Sequence, residues 1–184
     1  MSSIIRVNDI QDAGGNSIIS SNGSGTVTVG NSALKNTPAF FAYSNADQTV
    51  SDNSTTKVAI NTEVFDSDSD YDHSSNYRFT PTVAGKYFVY GQVFIQGNAT
   101  STLRQATAQL YKNGVLVSTS QYNMNDNQVY QITSQISTVM DMNGSSDYAE
   151  LYGYFDSSDS SAGTIEGHST LARTCFGAYR IIGA

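Results

Sequence analysis

From Pro38 onward, short stretches of alternating apolar and polar residues recur about every ten positions, separated by clusters of Asn, Asp, Ser and Gly. A period of two sends successive side chains to opposite faces of a strand, so one face can be buried while the other stays wet. The pattern predicts strands near 38–43, 57–65, 76–80, 86–96, 103–112, 115–122, 128–139, 147–155, 163–170 and 173–182. Many strands with turn signals between them describe an antiparallel sandwich or barrel. The clearest hairpin spans Ala106–Val117: Ala108 and Leu110 alternate with Gln109 and Tyr111, and Asn113-Gly114 supplies the two positive-φ positions of a type I′ turn.

Two strands stand out. Residues 86–96, KYFVYGQVFIQ, are apolar on both faces except at Gly91 and Gln92, as expected for the centre of a sheet or for a strand between a core and a subunit interface. Residues 147–155, DYAELYGYF, put Ala149, Leu151 and Phe155 toward a core. Tyr148, Tyr152 and Tyr154 then share the other side with Glu150. A tyrosine stripe of this kind suits a subunit contact, because the ring is amphipathic and costs little entropy to order.

Residues 1–37 behave differently. They are small, polar and Gly-rich, with β-prone stretches at Ile4–Ile10 and Gly25–Val29. A segment so poor in apolar residues makes no core of its own, and is either disordered or ordered by pairing with other chains. Its apolar positions, Ile4, Ile5, Val7, Ile10, Val27 and Val29, are the candidate attachment residues, and the division falls into an attachment segment, 1–37, and a head domain, 38–184.

Composition agrees with the pattern and removes several functions. Of 184 residues, 26 are Ser, 18 Thr and 15 Asn, against six Leu and three Glu, which disfavours helices and leaves Val, Ile, Thr, Tyr and Phe to build pleated surfaces. The net charge of −7, with nine scattered cations, offers no basic surface for nucleic acid. No apolar run approaches the ~20 residues of a membrane-spanning helix. MSSIIRVNDI has neither the basic region nor the long apolar run of a signal peptide. A single cysteine, Cys175, excludes an intrachain disulfide and reads as a small buried hydrophobe.

Candidate chemistry is sparse. Asp66, Asp68, Asp70 and Asp72 alternate in a flexible segment and form a candidate calcium loop, but Tyr71 and Tyr77 occupy the positions where an EF-hand needs Gly and Glu. His73 and His168 are the only histidines and fall in no catalytic spacing, so no enzyme is expected.

The stretch Tyr71–Val93, YDHSSNYRFTPTVAGKYFVYGQV, resembles the signature of the complement first-component-q globular-head family of tumour-necrosis-factor-like jelly rolls. Its carriers are Tyr71-Asp72, Arg78-Phe79-Thr80, Val83-Ala84-Gly85 and Tyr87. Phe65, the AQLYKNG hairpin and the run Thr174-Cys175-Phe176-Gly177 with Ile181 keep the family order. Two departures are a turn after Asp72 that is one residue longer and Cys175 in place of Phe. The resemblance implies an all-β, ten-stranded antiparallel jelly-roll sandwich that packs as a homotrimer, with Tyr87, Tyr90, Tyr148, Tyr152 and Tyr154 as candidate interface residues. Residues 1–37 also resemble collar segments of virion structural proteins of marine tailed phages.

Together these imply a non-enzymatic virion protein, assembled in a host cytoplasm: a short trimeric fibre or knob, joined to other virion proteins through residues 1–37. Weak contacts to a host surface glycan or protein would come from the loops at 98–104, 122–128 and 156–162, with trimer avidity making them sufficient. The competing expectations are a capsid decoration protein without a receptor and a free lectin-like or cytokine-like module.

Overall fold

The computed structural model describes residues 7–30 and 34–183, and among these it contains sixteen β-strands and no α-helix. The strands are β1 (Asp9–Gln11), β2 (Ser17–Ser21), β3 (Val27–Val29), β4 (Ala39–Tyr43), β5 (Gln48–Val50), β6 (Ser54–Lys57), β7 (Thr62–Asp66) and β8 (Tyr71–Asp72). They continue as β9 (Arg78–Phe79), β10 (Gly85–Gln96), β11 (Leu103–Lys112), β12 (Val115–Asn123), β13 (Gln131–Met142), β14 (Ala149–Ser157), β15 (Gly163–Ile165) and β16 (Cys175–Arg180). Every pairing is antiparallel.

Two sheets face each other. The first runs β13-β10-β16-β4-β7, and β15 and β5 extend it beyond the end of β16. The second runs β12-β11-β14, with β9-β8 and β6 pairing successive parts of the free side of β14. The long strand β10 is bonded on both sides: β13 follows it from Gly85 to Gln96, while β16 pairs Tyr87–Gln92 and β15 pairs Ile95–Gln96. Its side chains alternate between buried and half-buried, as its apolar character on both faces requires. The hairpin from β11 to β12 turns at Asn113 and Gly114, both at positive φ, as the Asn-Gly pair predicts.

The region read as one strand at 57–65 is two, a correction to the sequence reading. Strand β6 pairs with β14 in the second sheet, whereas β7 pairs with β4 in the first. Between them the chain crosses from sheet to sheet, and Val58 and Ile60 are buried on the way, so their alternation mimicked a strand.

The inner faces make one core. Phe40 stacks on Tyr71 at 4.3 Å and on Phe79 at 4.7 Å, and meets Phe176 edge-on at 5.1 Å. Each such ring contributes about 1.5–3 kcal/mol by leaving water. Close approach of the sheets depends on Gly91, where an added Cβ would stand 2.7 Å from Leu151.

Among the described residues, strands β1–β3 form a separate meander whose pairings are all internal, and none of its residues belongs to the buried core. Both its turns have one design. Asp12 accepts bonds from the Gly14 and Asn16 N–H groups, and Asn22 accepts from those of Ser24 and Thr26, with Gly15, Gly23 and Gly25 at positive φ. These are Asx turns, in which a short polar side chain holds the bend.

Candidate self-association face

The outer face of the first sheet follows from the alternation of its strands. On β10, Tyr87, Val89, Gly91, Val93 and Ile95 point inward, so Phe88, Tyr90, Gln92 and Phe94 point out. Register aligns them in rows across the sheet. Val139, Phe88 and Tyr179 form one row; Ser137, Tyr90, Gly177, Phe41 and Phe65 form the next; Gln135, Gln92, Cys175 and Tyr43 form a third.

The first two rows merge into an aromatic band. Ring centroids lie 5.5 Å apart for Phe88–Tyr179, 6.0 Å for Phe88–Tyr90 and 6.4 Å for Phe41–Tyr90. Gly177 makes this arrangement possible. It sits between Tyr90 and Phe41, and a Cβ there would stand 2.4 Å from the Tyr90 hydroxyl. Phe65 and Val139, at the margins, are each 50% exposed, and Tyr179 is 40% exposed. Ion pairs close the band at its two ends, Lys86 with Asp141 at 2.6 Å and Arg173 with Glu166, the Arg173 guanidinium lying 5.7 Å from the Phe94 ring centre.

Beside the band is an open depression of about 480 Å³ lined by Phe88, Tyr90, Gln92, Gln135, Ser137 and Cys175. Gln135 donates to Gln92 at 2.8 Å, and Gln92 donates to the Arg173 carbonyl at 2.8 Å, so these amides are held in place. Burial pushes the Cys175 thiol up to about 11 and raises the Tyr90 phenol, keeping both neutral near pH 7. A neutral thiol is a poor nucleophile. The face is therefore apolar, uncharged across its middle and continuous over five strands, which is the chemistry of an association surface.

The five tyrosines expected at an interface are split among three places. Tyr87 is fully buried and its hydroxyl donates to the Val83 carbonyl at 2.6 Å, so it belongs to the core, a correction. Tyr90 lies at the centre of the aromatic band. Tyr148, Tyr152 and Tyr154 are on the outer face of the second sheet, and each already has a polar partner. The Arg78 guanidinium lies 4.0 Å from the Tyr148 ring, and the hydroxyls of Tyr152 and Tyr154 donate to Glu150 at 3.2 Å and Asn53 at 2.7 Å. Glu150, with a side chain only 2% exposed, also receives Lys57 at 2.6 Å and Arg78 at 2.9 Å. Sequence reasoning missed Phe41, Phe65, Phe88 and Tyr179. The signal was there for Phe88, since Tyr87 and Tyr90 differ by an odd number of residues and cannot share a face.

The four aspartates of the candidate calcium loop do not converge. Asp66 accepts from the Tyr71 N–H at 2.7 Å, Asp68 from the Ser67 hydroxyl, and Asp70 from the Thr82 N–H at 2.8 Å and its hydroxyl at 3.1 Å. Asp72 caps the next turn through the N–H groups of Ser74, Ser75 and Asn76. Among the described residues no group of three or more His, Cys, Asp or Glu is placed to hold a metal ion. His73 lies 3.3 Å from Glu63 at an exposed site, and the His168 Nδ1 accepts the N–H groups of Thr170 and Leu171, holding a turn. Of the attachment residues, Val7, Ile10 and Val27 are exposed and Val29 is half-buried, while Ile4 and Ile5 lie outside the described residues.

The three loops expected to contact a ligand do come together. The Gly97 N–H bonds the Tyr130 carbonyl, the Met124 N–H the Arg104 carbonyl and the Ser158 N–H the Thr102 carbonyl, each at 2.8–2.9 Å. They gather where β10 ends. The chain enters the sandwich at the other end, where Ala39 pairs Tyr179 and the Arg180 N–H bonds the Asn36 carbonyl. The entry is level with Tyr87 and the loops begin after Gln96, so about nine residues of strand, roughly 30 Å, separate the two ends.

No protein-family model matches the chain, and no curated protein matches it. Solved structures do. The globular domain of zebrafish complement 1qA protein matches with a TM-score of 0.52 and 13% identity, over 78% of this chain and 97% of that one. Eiger TNF from S. frugiperda matches with a TM-score of 0.55 and 9% identity, over 79% and 93%. Murine APRIL at pH 5.0 matches with a TM-score of 0.51 and 12% identity, over 78% and 98%. These likenesses establish the fold as an antiparallel jelly roll of the complement-1q and tumour-necrosis-factor type.

Proposed function

We propose that this chain is a non-enzymatic binding module that works as a homotrimer, closed through the aromatic face of its first sheet. The observation that carries the reading is the band of Phe41, Phe88, Tyr90 and Tyr179, which meets no partner within the chain's own core. The fold it shares with complement-1q and tumour-necrosis-factor domains supports the same assembly. Three identical copies place three loop clusters at one end, so weak polar contacts to a surface glycan or protein add as avidity.

The module is a virion structural protein of a tailed phage, a short fibre or knob. What supports this is the polarity of the chain: residues 1–37 enter at one end and the clustered loops stand about 30 Å away at the other, a stem and a tip. Light scattering of the purified chain should give three times 19.8 kDa. Deleting residues 1–37 should leave a trimer that no longer joins the particle. The same stem and tip serve a second reading, a capsid decoration protein, and labelling the parent particle with an antibody to the head separates the two by where the label sits.

A further inference from the structure

The meander β1–β3 carries an apolar row of its own. Register places Ile10 beside Ile19 and Ile19 beside Val29, one residue from each strand in a line across the sheet. Ile10 is 47% exposed and Val27 on the same face is 59% exposed, Ile19 and Val29 are half-buried, and none of the four belongs to the described core. A three-stranded sheet needs its apolar face packed to hold its shape in water. Something must cover this row.

We propose that the cover is the same row of two other copies, so that three meanders close into a small triangular prism with Ile19 pointing at its axis. This rests on the homotrimer reading of the head. Geometry fits closure in threes. A wall of three strands, ~4.8 Å apart, is about 14 Å wide, and three such walls enclose an axis about 4 Å from each. Packed sheets lie ~10 Å apart, which puts each ~5 Å from their midplane, so the side chains of three walls fill the space without a void. Four walls of the same width would leave a hole at the axis.

Charge permits the same closure. Residues 7–30 contain Asp9 and Asp12 and no Lys or Arg. Asp9 pairs Ser20 in the ladder and alternates with Ile10, so it lies on the reverse face, and Asp12 sits in a turn. Bringing the apolar faces together therefore brings no carboxylates to the axis. Continuity supplies the proximity. Asn36 is tied to Arg180 at the end of β16, a strand of the aromatic band, and only five residues lie between Gly30 and Asn36, at most about 20 Å of chain. A head trimer thus holds three meanders at an effective concentration on the order of millimolar, at which even a small apolar contact closes.

The test uses the full chain with one new cysteine, treated with a short bismaleimide, and the unaltered chain, with Cys175 alone, as the blank. Ile19→Cys should link two of every three chains into covalent dimers, and Ser20→Cys, on the reverse face, should give almost none. Hydrogen exchange of the unaltered chain is the second measurement: amides of β1–β3 should be protected, and Ile19→Asp should speed their exchange by about tenfold or more while the head amides stay unchanged. Equal linking at 19 and 20, or unprotected meander amides in a chain whose mass is that of a trimer, overturns the prism and points to a different virion protein as the cover. A monomeric mass in light scattering instead removes the head trimer, so the two failures are distinguishable.

Discussion

The outer faces of the two sheets are both rich in rings, yet they are opposite in kind. On the second sheet, Tyr148 lies beneath Arg78, Tyr152 donates to Glu150, and Tyr154 donates to Asn53. Each ring there is tied to a polar neighbour and is at ease in water. On the first sheet, Phe41, Phe88, Tyr90 and Tyr179 touch chiefly one another. Counting tyrosines therefore does not locate an interface. What a ring lacks as a partner is more informative than what it is.

The sharpest way to break this comparison is a charge in the aromatic band. Phe88→Glu buries a carboxylate without a partner in any complex formed there, and the mass should fall from three chains to one, while Tyr152→Ala leaves the mass unchanged. The reverse result would move the interface to the second sheet. Next in size is Glu150→Ala, which strips Lys57, Arg78 and Tyr152 of their shared acceptor. Both cations can still reach water, so the loss should be about 1–3 kcal/mol in chemical denaturation, with the oligomer retained.

Gly177→Ala refines the contrast. Its Cβ collides with the end of the Tyr90 side chain rather than with backbone, so Tyr90 can swing outward at little cost to the monomer. The fold should melt within a few degrees of the parent while association weakens, read as a dissociation constant by sedimentation. A change in melting without a change in association would assign Gly177 to the fold alone.

Smaller still is a pH effect away from both faces. The Asp72 carboxyl is held below its unfolded value of 3.8, first by the Ser75 N–H and then by the Asn76 amide and the Ser74 N–H. Its folded value is depressed, so its contribution is present above about pH 4 and lost as the pH falls through the folded value. Asp72→Ala should lower stability near neutrality and flatten the acid side of the profile. The smallest effect expected is that of a calcium chelator. The donors around Asp66, Asp68, Asp70 and Asp72 already engage those carboxylates, and an unchanged melting temperature would exclude a stabilising ion.

Much of the sandwich was legible in the chain. Period-two alternation located β10, β11 and β12 closely, and Asn113-Gly114 announced its hairpin. Short strands were less visible: β5 and β8 carry two or three residues each, too few to show a period. The crossing at Val58 and Ile60 was misread because burial between sheets and burial within one look alike in sequence. At the candidate face, Tyr90 lies in the aromatic band and Tyr87 in the core, a difference that residue parity carries and aromatic identity does not. Phe41 and Phe65 could not be placed beside Tyr90 at all without the pairing of β4 with β7 and β16, which is a long-range fact.

That same pairing governs how the protein is made. Strand β16, the last of the described strands, lies between β10 and β4, in the middle of the first sheet and not at its edge. During synthesis β4 and β10 leave the ribosome with the sides destined for β16 unpaired, and they stay so until β16 itself has emerged. Loop closure over such separations is slow, and an open central gap is an invitation to intermolecular strand exchange. A change that removes β16 would therefore leave both of its neighbours with open edges and release an aggregating chain.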